Sequence, residues 1–67
     1  HDLMHLVTLL PDDQKEVLEL RIFKDLSFKE IAEETDVSIN TALGRMRYAI
    51  INLRKIIESS NIILTVD

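Results

Sequence analysis

Ser27-Phe28-Lys29-Glu30-Ile31-Ala32-Glu33-Glu34-Thr35-Asp36-Val37-Ser38-Ile39-Asn40-Thr41-Ala42-Leu43-Gly44-Arg45 is the stretch that decides the fold of this chain. Ser27 and Glu30 stand in S-x-x-E spacing, the capping box that satisfies two orphan backbone donors and fixes where a helix begins. Phe28, Ile31 and Ala32 give that helix an inward face, with Glu33 and Glu34 outside. Thr35-Asp36-Val37 reads as a turn, and Asp36 is its left-handed residue, since aspartate tolerates that conformation better than most non-glycine residues. Val37 plugs the angle between two helices, and Ser38 caps the second. Two capped helices joined by so tight a turn spell a helix-turn-helix, a motif whose second helix lies in the major groove of DNA.

Upstream, Leu3, Met4, Leu6, Val7 and Leu10 make a short apolar helix pattern before Pro11. Proline suits the first position of a helix, and Asp12 and Asp13 complement the dipole there, so Pro11 is expected to open the second helix. Val17 and Leu20, with Leu18, Ile22 and Phe23, supply its buried side, and Lys24-Asp25-Leu26 is a connector. Downstream, the fourth helix is read by angle at about 100° per residue. Ile39, Ala42, Leu43, Met46, Ala49, Ile50, Leu53 and Ile57 fall within an arc of about 120°, the width of a core-facing stripe. The opposite arc holds Asn40, Gly44, Arg47, Tyr48, Ile51 and Lys55, flanked by Thr41, Arg45 and Arg54. The fold class expected is all-α: a small four-helix domain with a C-terminal helix-turn-helix and a long recognition helix.

Composition agrees. Sixty-seven residues with 46% apolar content and a single glycine and proline favour one domain of helices joined by short turns, spanning residues 1–67 with an apolar tail at 61–67. There is no cysteine for a disulfide or a structural zinc. His1 and His5 share the i, i+4 spacing of metal ligands, but without a third ligand nearby no metal is expected. No Ser/His/Asp ensemble, phosphate-cradling glycine loop or paired-carboxylate pocket is expected in so small a helical unit, so neither an enzyme nor a cofactor is expected. No apolar run approaches the ~20 residues of a membrane span. Because the chain starts at His1 rather than methionine, it is expected to be a piece of a longer protein, cytoplasmic in setting.

The net charge of −4 hides an asymmetry. Residues 1–36 carry ten acids against four bases, net −6, while residues 37–67 carry Arg45, Arg47, Arg54 and Lys55 against Glu58 and Asp67, net +2. The cations thus gather on the helix that would meet phosphate; the acids of helices two and three are most simply solvated faces, and their sharper reading is that they keep DNA away from other surfaces.

Leu10-Pro11, Val17-Leu18, Leu26-Ser27, Glu30-Ile31-Ala32, Val37-Ser38, Thr41, Arg45 and Leu53-Arg54, taken in order, resemble region 4 of bacterial RNA polymerase sigma factors of the compact extracytoplasmic-function type. That resemblance implies a domain that reads the upstream (−35) promoter element while packing on the polymerase flap tip, with an anti-sigma factor as a further partner. It implies base-edge contacts from Ser38, Asn40, Thr41, Gly44, Arg45, Arg47 and Tyr48, with Arg54 and Lys55 on phosphate. The chain departs from the family where a lysine is common, at Leu43, and where basic residues are common, at Tyr48 and Ile50.

Each site residue also has a plainer role. Asn40 is a good residue near a helix start, and Tyr48 is suited to covering the core rim. Arg45 and Arg47 are suited to ion pairs with the acidic third helix, and Arg54 and Lys55 to the helix dipole. Gly44 costs about 0.8–1 kcal/mol relative to alanine in a helix interior, which points to close approach of a partner backbone. The competing reading is a protein-interaction or self-associating module, or the output domain of another transcription regulator, motivated by the acidic total and the apolar segment at 62–66.

Overall fold

Reciprocal hydrogen bonds set the frame of the molecule. In the computed structural model, which describes residues 3–59, the Ser27 N–H donates to Glu30 Oε1 at 2.8 Å. The Glu30 N–H in turn donates to Ser27 Oγ at 3.1 Å, closing the expected capping box. Four helices result: α1 Leu3–Val7, α2 Asp12–Ile22, α3 Phe28–Thr35 and α4 Ile39–Ser59. No strand occurs among the described residues, and none of their helices is long and apolar enough to cross a membrane. His1 and the apolar tail at 61–67 lie outside the described residues.

The spine is α4, whose 21 residues make a rod about 31 Å long. Ala42 and Ala49 on it are 0% exposed, so their small side chains let the neighbouring helices approach closely. Val7, Leu10 and Leu18 close around Ala49, backed by Met46, Leu53 and Ile56. Val17, Ile31 and Ala32 close around Ala42, backed by Leu20, Leu26, Phe28 and Val37. Met46 packs against both clusters and joins them. The first half of α4 is therefore held by α2 and α3, and the second half by α1 and α2.

Several expectations need correction. Pro11 is not the first helical residue: with φ −54° and ψ 149° its backbone is extended, and α2 starts at Asp12. Its carbonyl still accepts the Lys15 N–H at 2.8 Å, so Pro11 caps the helix from outside. Ile22 and Phe23 are each 50% exposed rather than buried, because α2 ends there and the chain turns away. Leu3 and Met4 are exposed as well, since so short a helix as α1 turns only Leu6 and Val7 inward. On α4, Ile39, Leu43 and Ile50 are exposed, whereas Ile56, outside the expected stripe, packs on the core. The true stripe is rotated by about 40° from the one that apolar residues alone suggest.

The rotated face seats Ala42 and Ala49 in the two clusters and brings two polar residues onto α2. Asn52 Nδ2 donates to Gln14 Oε1 of α2 at 2.8 Å, and Arg45 Nε lies 3.7 Å from Asp13 Oδ2. From the sequence, Arg45 is expected on the flank facing solvent or DNA, and Asn52 on neither face. The connector before α3 also holds an unforeseen feature, a second left-handed residue at Asp25 with φ 56°. Arg21 secures it by donating to the Leu26 carbonyl at 3.0 Å, with its guanidinium over the Phe28 ring.

The capping box carries a pH signature. The Ser27 backbone N–H, followed by its hydroxyl, holds the Glu30 carboxyl below its ordinary value of 4.5. The unfolded chain therefore takes up this proton at a higher pH than the folded domain does. The stabilisation is complete above the ordinary value and is lost as pH falls through the folded one. Melting curves of the wild type and Glu30→Gln should differ most above the ordinary carboxylate value and converge as the pH falls below it. A gap that is constant with pH would remove the carboxylate from this role.

Candidate nucleic-acid interface

The turn aims α4. Asp36 adopts φ 57° and ψ 47°, the expected left-handed conformation, and its N–H donates to the Ala32 and Glu33 carbonyls. The Val37 N–H donates to the Ala32 carbonyl at 3.0 Å, and the Val37 side chain packs on the cluster around Ala42. α3 is thus closed by backbone bonds, and the chain enters α4 two residues later. There Ser38 Oγ accepts the Thr41 N–H at 3.0 Å and donates to Thr41 Oγ1 at 3.0 Å. Ser38 and Thr41 are first of all the N-cap of this helix. Thr41 Oγ1 accepts within the cap, which leaves its own O–H to donate outward.

Beyond the cap, the predicted residues divide. Asn40, Leu43, Gly44, Arg47 and Tyr48 line one shallow depression on the outer face of α4. Asn40 and Arg47 are exposed, and their side chains form no hydrogen bond or ion pair with another described residue. Tyr48 is 58% exposed, so it stands in solvent rather than covering the core rim. A Cβ built on Gly44 would meet no heavy atom within 4 Å, and its φ is not positive. Neither packing nor backbone conformation asks for glycine here. The flat strip it leaves is open only towards whatever docks on this face.

Arg45 is placed differently. Its side chain is 28% exposed and its ion pair runs to Asp13 on α2, not to the acidic α3. Arg54 and Lys55 are exposed, two turns beyond Arg47. The helix continues through Ser59 with no basic residue in its last turn, so the dipole does not account for these two, since that effect fades within one turn. Residues 39–57 of α4 contain four cations and no acid. The acids lie elsewhere, with Glu30, Glu33 and Glu34 on one outer surface and Asp12, Asp13, Glu16 and Glu19 on another. Charge and shape together make the outer face of α4 the part of the described surface best suited to a polyanion.

Comparison with known proteins bears on the same segment. The model of the family described as Sigma-70, region 4 matches residues 1–47, from the chain start through the first half of α4. No curated protein and no solved structure matches the chain.

Proposed function

The chain belongs to the sigma-70 region 4 family, a family of non-enzymatic DNA-binding domains in transcription, and on that premise we propose that it reads the upstream (−35) promoter element. It does so in the cytoplasm as part of a sigma factor of the extracytoplasmic-function type, docked on the flap tip of RNA polymerase. The observation that carries this reading is the outer face of α4 over residues 39–57, which holds no acid, with Asn40, Gly44, Arg47 and Tyr48 around one depression. Asn40 offers an amide that pairs with adenine N6 and N7, and Arg47 a guanidinium for guanine or phosphate. Ser38 and Thr41 approach the backbone from the helix start, and Arg54 and Lys55 follow it further along. Arg45 serves mainly to hold α4 against α2, its charge partly shared with Asp13. Four cations give weak, strongly salt-dependent binding by the chain alone, so the promoter is engaged within holoenzyme.

Selection from randomised duplexes by the full chain bound to polymerase core tests the proposal. A single enriched motif supports it, and no enrichment over core alone refutes it. Gly44→Ala supplies a second arm. With open space over the glycine, this substitution should raise the domain's unfolding free energy by about 0.8–1 kcal/mol. The same methyl group should weaken binding to the selected duplex severalfold. A variant that is more stable and binds equally well would show that DNA does not come close at this point.

A further inference from the structure

Leu43 is a large apolar residue that belongs to neither core cluster. The core stripe of α4 turns away from it, leaving it 44% exposed. It lies three residues after Asn40 and four before Arg47, and all three line the same depression. Neighbours at those spacings stand about 5–6 Å apart at Cβ, so a base pair met by Asn40 and one met by Leu43 are the same or adjacent. In the major groove the apolar group that base edges present is the thymine C5-methyl, and an aliphatic side chain packs on it without competing for hydrogen bonds. A basic residue at this position would instead meet guanine O6 and N7 or phosphate.

Resting on the reading of α4 as the recognition helix, we propose that Leu43 is a specificity-determining residue. It packs on a thymine methyl beside the base pair that Asn40 contacts, so the site read by this chain contains thymine there.

The test uses the full chain with polymerase core on the selected duplex, replacing each thymine in turn by deoxyuridine, which removes only the methyl. Affinity of the wild type should fall about fourfold at one or two adjacent positions, the worth of one buried methyl-sized group. Leu43→Ala should bind more weakly to the unmodified duplex yet be indifferent to uracil at those positions, with an unchanged melting temperature. Leu43→Met should restore the sensitivity. The inference is overturned if the wild type binds every uracil duplex equally, or if Leu43→Ala keeps the wild-type sensitivity. It is overturned too if Leu43→Ala instead weakens capture of polymerase core without DNA, which would make the residue a protein contact. In those cases sequence-selective binding persists and the promoter-reading function stands. Loss of selective binding by the wild type itself would take both down.

Discussion

Replacing Arg47 with glutamate is expected to reduce promoter binding by the holoenzyme about a hundredfold or more. The residue is exposed, has no ionic partner among the described residues, and sits on the depression that also holds Asn40 and Gly44. A bidentate arginine contact to a base contributes about 1–3 kcal/mol, and a phosphate contact contributes close to one unit of salt slope. Charge reversal removes that contact and adds repulsion from the duplex in a segment that otherwise holds no acid. Titrations at several salt concentrations check the prediction: the slope should flatten by about one unit as affinity falls. An unchanged slope together with unchanged affinity would move the interface off this face.

Arg45→Glu should behave differently although it lies two residues away. Its ion pair to Asp13 is partly solvated, so breaking it costs about 0–1 kcal/mol, and the new carboxylate faces Asp13. The larger consequence is expected in stability, the smaller in DNA affinity. Comparing the two variants separates a residue that touches DNA from one that positions the helix doing so.

The contrast shows what was legible in the sequence. Caps are local, and they were readable: Ser27 with Glu30, Asp36 in its left-handed conformation and Ser38 with Thr41 all follow from short-range chemistry. The bounds of α3 and the start of α4 follow from them. The rotation of α4 about its axis was not readable, because it depends on partners far away in the chain. Counting apolar residues placed Ile39, Leu43 and Ile50 inside, yet the helix rolls so that Asn52 meets Gln14 and Arg45 meets Asp13. These contacts join residues more than thirty positions apart, and no local pattern encodes them. The one available hint was the fixed spacing of Arg45, Ala49, Asn52 and Ile56 along a single face of the helix. Of the candidate site, Asn40, Gly44, Arg47 and Tyr48 come together as the wheel placed them. Leu43 joins them unforeseen, because apolar character alone had assigned it to the core.

Ile31→Ala should weaken DNA binding sharply without altering any surface that DNA meets. Ile31 is 0% exposed and packs with Val17, Ala32 and Ala42 beneath the first turns of α4. Truncating a fully buried isoleucine costs about 2–5 kcal/mol, through lost burial and the cavity left behind. A 67-residue domain has only about 3–10 kcal/mol of stability in total. The variant is therefore expected to lose a large share of its stability, to unfold at a markedly lower urea concentration, and to hold less firmly the geometry that lets Asn40 and Arg47 face one groove. Ile31→Val, which removes one methylene for about 0.5–1.5 kcal/mol, should keep both fold and affinity. Urea denaturation read by circular dichroism, run beside duplex binding, distinguishes this loss from that of Arg47→Glu, which should leave the denaturation midpoint nearly in place. If Ile31→Ala instead unfolds at the wild-type urea concentration, α3 does not support the recognition helix in the way its contacts indicate. The orientation of α4 would then have to come from α1 and α2 alone, through the cluster around Ala49.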